Sequence, residues 1–124
     1  MRNPGLIKAY DAPTSIEPFR IVKYGAAEGQ AEQAAGAGEA LFGVCDDLGG
    51  VEGARADVVE TGVCEVEYGA AVTRGDLLTA DAQGRAVPAA PASGATARII
   101  GEAKIDGAAG DIGSLKIMLS QVTG

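Results

Sequence analysis

The sequence predicts an all-β fold: a small β-sandwich or barrel of short antiparallel strands with Gly-rich turns, entered by an extended N-terminal arm. Three observations carry that expectation. Nineteen glycines are spread over 124 residues, and with Asp they punctuate short apolar runs as tight turns require. The stretch ADVVETGVCEVEYG alternates, with Cys64, Val66 and Tyr68 on one face and Glu65 and Glu67 on the other, the period of a half-buried strand. The segment richest in helix formers, AAEGQAEQAAGAGEA, is interrupted at Gly29, Gly36 and Gly38, which leaves no useful helical length.

Residues 1–18 hold Pro4, Pro13 and Pro18 around an apolar cluster of Leu6, Ile7 and Tyr10. Proline at that density rules out a continuous helix and disfavours a central strand, so the segment reads as an arm. Its apolar residues imply docking, either on a partner or back on the chain's own domain. Residues 19–124 then form a single β domain.

Within that domain EPFRIVKYG is a strand with Phe19 and Ile21 on one face and Arg20 and Val22 on the other. A short polar strand is expected near Gln30–Ala34, and LFGVC (Leu41–Cys45) suits a buried strand. DDLGGVEGA follows as a loop, and Gly62 breaks the alternation between Val59 and Val63 as a bulge or bend would. VTRGDLLTADAQGRAV reads as strand, turn, strand, turn, strand. Gly75 supplies the positive φ of a type II turn with Asp76 accepting a backbone bond, and Asp81 and Gly84 take the first and fourth positions of a second turn. Leu41-Phe42-Gly43 and Ile99-Ile100-Gly101 each precede a Gly-rich loop and a returning strand, an internal echo of two hairpins.

Aromatic residues make up only 4% of the chain and Trp is absent. Because aromatics carry the largest buried areas, such a core predicts support from association with other copies or with a larger body. The net charge of −7 and the scattered single cations exclude the basic face that nucleic-acid binding needs. No apolar run is long enough for a membrane span, and the N-terminus lacks a secretory apolar core, so a cytosol-like compartment is expected.

Chemistry is absent by composition. The chain has no His, which removes the common acid–base and triad arrangements. Cys45 and Cys64 sit in apolar strands where burial deactivates a thiol; reduced thiols are the reading favoured there, with a disulfide as the alternative. Asp46-Asp47 and the Glu65, Glu67 pair belong to solvated positions, and no glycine run ends in the Gly-Lys of a phosphate loop. No catalytic, cofactor-binding or metal-binding residues are therefore expected, and no cofactor. Lys116 lies inside the alternating strand SLKIMLS, unlike the hairpin-tip lysine of a biotinyl or lipoyl carrier.

Three stretches, ADVVETG, EYGAAVTRGDLLTADAQGRAVPA and ARIIGEAKIDGAAGDIG, give the chain its resemblance to the capsid cement, or head decoration, proteins of tailed bacteriophages. The likeness spans most of Leu41 to Gly113. It implies a virion structural protein made in the host bacterial cytoplasm and bound to the outer face of the capsid, cementing capsomers against internal DNA pressure. Its implied partners are the major capsid protein and other copies of itself; local three-fold sites suit a trimer, with a dimer open. Neither nucleic acid nor membrane is among them. Leu6, Ile7, Tyr10 and Phe19 are the expected capsid contacts. The alternative is a small binding or adhesion module that displays Arg74-Gly75-Asp76 to a partner protein.

Overall fold

A computed structural model of the chain describes residues 2–124. Eleven strands follow one another with no helix among them: β1 (Asn3–Pro4), β2 (Ile7–Asp11), β3 (Ile21–Tyr24), β4 (Ala31–Gln33), β5 (Leu41–Gly50), β6 (Arg55–Val59), β7 (Gly62–Glu67), β8 (Leu77–Ala80), β9 (Ala86–Pro88), β10 (Thr96–Ala103) and β11 (Ile112–Thr123). They form two sheets, a six-stranded one in the order β1-β7-β11-β10-β8-β9 and a five-stranded one in the order β2-β6-β5-β3-β4. Every named pairing is antiparallel. The all-β expectation holds, and the five-stranded sheet curls until Asp11, at one edge, bridges Gln30 beside the other.

Curling creates two cores. Ile21, Leu41, Val44, Val59, Cys64, Val66, Tyr68, Leu78, Ile100 and Leu115 fill the space between the sheets. Tyr10, Ile16, Val22, Phe42, Cys45 and Val58 fill the inside of the curled sheet together with Ala12, Ala31 and Ala56. Neighbouring residues of β3, β5 and β6 therefore point into different cores: Ile21 and Val22, Leu41 and Phe42, Val44 and Cys45, Val58 and Val59. That is why LFGVC is apolar without a break, as strands buried on both faces are. Val22, on the face opposite Ile21, is accordingly fully buried as well.

The expected arm is extended, yet it is built into the domain. β1 pairs with β7 and β2 pairs with β6 along Ile7–Asp11, so residues 2–18 contribute an edge strand to each sheet; Met1 lies outside the described residues. Pro4 and Pro88 occupy edge strands β1 and β9, where a missing N–H costs no ladder bond.

Gly62 (φ +86°) stands where the chain leaves the curled sheet as β6 and enters the other sheet as β7. A Cβ there would meet the backbone of Gly5, Asn3 and Pro4 within 3.0 Å, so the corner requires glycine for both conformation and space. Of the acidic segment expected as a loop, residues 46–50 are instead the end of β5, and residues 51–54 form the turn into β6. The register of β5 against β6 jumps from Cys45↔Val58 to Gly50↔Ala56, a wide bulge that pushes residues 46–49 out of the ladder.

Candidate functional site

Among the described residues no group of three or more His, Cys, Asp or Glu side chains is arranged to hold a metal ion. Cys45 and Cys64 are free thiols, one in each core. Burial pushes both up to about 12, far from the thiolate a nucleophile needs. Together with Arg2, Phe19, Asp46 and Val59 they border a pocket of about 100 Å³, smaller than ordinary ligand sites.

The four expected contact residues divide sharply. Leu6 and Ile7 are 53% and 41% exposed, beside the outer edge of β2, which no other strand of its sheet covers. Tyr10, expected with them, is a core residue: its ring lies 5.0 Å from that of Phe42 and its hydroxyl donates to Glu60 at 3.0 Å. Burial, then that bond, raise its pKa to about 12.

Phe19 is half-buried and, among the described non-glycine residues, is the one with a positive φ, +61°. Its N–H donates to the Asp46 carbonyl at 3.3 Å and its carbonyl accepts from the Glu67 N–H at 2.9 Å. Those bonds span both sheets and hold a conformation that a bulky residue avoids by about 1–2 kcal/mol.

The Arg-Gly-Asp tripeptide is occupied with its own fold. Asp76 N–H donates to the Thr73 carbonyl at 3.0 Å across a turn with Gly75 at φ +92°, the geometry of a type II turn. The Asp76 carboxylate accepts from the Thr73 N–H at 2.9 Å, and Arg74 pairs with Asp106 at 2.9 Å. At the second turn Gly84 (φ +74°) donates to the Asp81 carbonyl at 3.1 Å, while the Asp81 side chain accepts from the Gln83 and Arg85 N–H groups, each at 2.9 Å. Lys116 is exposed in mid-strand, paired with Val63 of β7 and Glu102 of β10, so the hairpin-tip presentation of a carrier lysine is absent.

Two surfaces escaped the sequence reading. The bulged tip of β5 exposes Leu48 (79%) and Val51 (69%), within a segment, residues 46–53, whose charges are Asp46, Asp47 and Glu52. A signal existed, since apolar residues on either side of Gly49-Gly50 in an acidic stretch do not serve a turn. At the opposite end of β5, Tyr24, Leu41, Arg98, Ile99 and Leu119 line a cleft of about 420 Å³. No sequence pattern announced it, because it joins β3, β5, β10 and β11 from both sheets.

No protein-family model matches the chain, and no curated protein matches it. A solved structure does: the N base of head fiber gp8.5 in bacteriophage phi29, 20% identical, superposes with a TM-score of 0.68 over 96% of this chain and 98% of that one. The two-sheet architecture of this chain, from its first paired strand to its last, is thus the fold of a phage head fiber base.

Proposed function

We propose that the chain is a non-enzymatic virion structural protein that binds the outer surface of a bacteriophage capsid and cements neighbouring capsomers, stiffening the head against packaged DNA. The end-to-end likeness in fold to a head fiber base is the observation that supports this reading. The acidic, His-free composition agrees with it. The partner is the major capsid protein, and the contact is the open edge of β2 with Leu6 and Ile7. A capsid segment adding as a strand would gain main-chain hydrogen bonds along Ile7–Ala9 and an apolar seat on the two side chains. Phe19 belongs to a different patch in this reading, and Tyr10 acts only by holding β2 in place. Joining several weak contacts in one oligomer raises avidity by about 10² to 10⁴.

Co-sedimentation with undecorated phage heads tests the proposal. The chain is expected to pellet with heads at saturating stoichiometry and to raise the temperature at which they release DNA. Ile7→Asp, on an exposed edge, should weaken binding without unfolding the chain. Failure of the intact chain to sediment with heads that remain closed would sink the reading.

A further inference from the structure

The tip and the cleft at the two ends of β5 are complementary in shape and in charge. The tip projects apolar side chains: Leu48 and Val51 are among the most exposed large hydrophobics of the chain. Around them stand Asp46, Asp47 and Glu52, with no cation from residue 46 to residue 53. The tip is also held in shape. Asp46 Oδ1 accepts from the Leu48 N–H at 3.1 Å, Gly50 and Ile16 exchange both backbone bonds at 2.8 Å, and Ala54 N–H closes on the Val51 carbonyl at 2.9 Å. A knob fixed in this way loses little freedom when it docks.

The cleft offers the converse. Its walls carry the half-exposed Tyr24 and Leu119, at 56% and 54%, over buried Leu41 and Ile99. Arg98 is exposed at its rim, and no carboxylate lines it. Among the described residues Arg98 has no ion-pair partner, although carboxylates engage the side chains of Arg20, Lys23, Arg55, Arg74 and Arg85. Its backbone N–H donates to the Ala37 carbonyl at 2.7 Å, which ties the β10–β11 ribbon to the loop before β5 and keeps the cleft in place. At about 420 Å³ the space admits a leucine and a valine side chain together.

The tip cannot fill its own cleft. Leu41 lines the cleft and Leu48 caps the tip on the same strand, roughly 20 Å apart at about 3.3 Å per residue. We propose that copies of this chain associate head to tail, the Leu48–Val51 tip of one seated in the Tyr24–Arg98–Leu119 cleft of the next, with Asp47 and Glu52 facing Arg98. The occupant is a second copy because this chain carries both halves, and the apolar knob enters a cationic, carboxylate-free cleft of a protein whose net charge of −7 repels its copies elsewhere. Such a heterologous contact closes a ring where the rotation between successive copies closes, and runs on as an open filament where it does not. This goes beyond the head-binding reading and is measured without heads, so either can fail alone.

Sedimentation velocity and cysteine pairing test it together. The unaltered chain is expected to sediment as an oligomer at tens of micromolar, and Leu48→Lys and Arg98→Glu each as monomers. Both changes are on exposed side chains and leave the cores intact. A Leu48→Cys chain mixed with a Leu119→Cys chain should form an intermolecular disulfide on mild oxidation, while neither alone does so, the native thiols being buried. A monomeric unaltered chain, oligomers that survive both charge variants, or a Leu48→Cys chain that pairs with itself as readily as with Leu119→Cys would each overturn the proposal.

Discussion

The two cores of this protein are filled by different kinds of side chain, although three strands serve both. Between the sheets the filling is mainly aliphatic, and Tyr68 is its one aromatic residue. Inside the curled sheet Phe42 is the centre: Tyr10 meets it tilted at 5.0 Å, and the exposed Tyr24 stacks on it at 4.1 Å. Around that aromatic centre stand Ile16, Val22, Cys45 and Val58 with three alanines, Ala12, Ala31 and Ala56. A sheet that closes on itself leaves a narrow interior, and rings with small and β-branched neighbours fill it without a leucine. The interface between the sheets takes Leu41, Leu78 and Leu115 beside its own alanines, Ala34, Ala80, Ala86 and Ala103. The difference teaches that the leucines serve between the sheets, while the few aromatics are concentrated where one sheet curls.

Truncating the centre of each core gives the largest expected effect. Phe42→Ala should cost about 3–5 kcal/mol and Leu115→Ala about 2–5 kcal/mol, as large-to-small core changes do. Both should appear as one cooperative transition in urea, because β3, β5 and β6 wall both cavities. Two separated transitions for Phe42→Ala would show the curled sheet to be an independent unit. Close behind is Gly113→Ala. Its new methyl would lie within the Tyr68 ring, whose hydroxyl donates to the Ile105 carbonyl at 2.8 Å and accepts from the Ser114 N–H at 3.4 Å. Overpacking at a ring so anchored should cost about 1–3 kcal/mol, all of it charged to the inter-sheet core.

Alkali probes both cores at once. Burial raises Cys45 and Cys64 from 9.0 to about 12, and Tyr10 from 10.0 to about 12. A raised pKa stabilises the folded chain below the unfolded value and ceases to do so as pH climbs through the folded one. Stability followed by urea titration should therefore be level up to about pH 9 and fall steadily from there to pH 12. Cys45→Ala should reduce the slope above pH 9, and a slope unchanged by it would show that the curled-sheet thiol does not share in the effect. The smallest effect is expected outside either core. Gly75 (φ +92°) has nothing within 4 Å of a would-be Cβ, so Gly75→Ala should cost only the backbone strain, about 1–2 kcal/mol, measured as a shift in the urea midpoint with an unchanged m value.

Much of the fold was legible because turns and alternation are local. Gly62, Gly75 and Gly84 all have positive φ, and each was placed from its neighbours alone. The echo of Leu41-Phe42-Gly43 in Ile99-Ile100-Gly101 falls in the first strand of the β5–β6 and β10–β11 hairpins, at the start of β5 and in the middle of β10. At both glycines the partner strand's backbone comes too close for a side chain: the Val59 carbonyl at Gly43 and the Lys116 carbonyl at Gly101. What stayed open or misled was also local. Prolines and apolar residues near the N-terminus suit an arm docked on a partner and an edge strand of the chain's own domain equally, and only the open flank of β6 decides between them. Residues 46–53 have the composition of a loop, yet Ile16 pairs with Gly50 across them and turns most of the stretch into a bulged strand.

The amino-acid sequence by itself determined the all-β class, the positions of most turns, the absence of histidine and the acidic net charge, since each depends on residue type and near-neighbour spacing. The tertiary structure decided the rest. It assigned β6 and β7 to different sheets, curled one sheet into a second core, buried Tyr10 while leaving Leu6 and Ile7 exposed, and set an acidic apolar tip and a cationic cleft at opposite ends of one strand. These features rest on contacts between residues far apart in the chain. The packing that brings such residues together is a property of the whole fold, and a pattern of period two reports only that a strand has two faces, not what each face will meet.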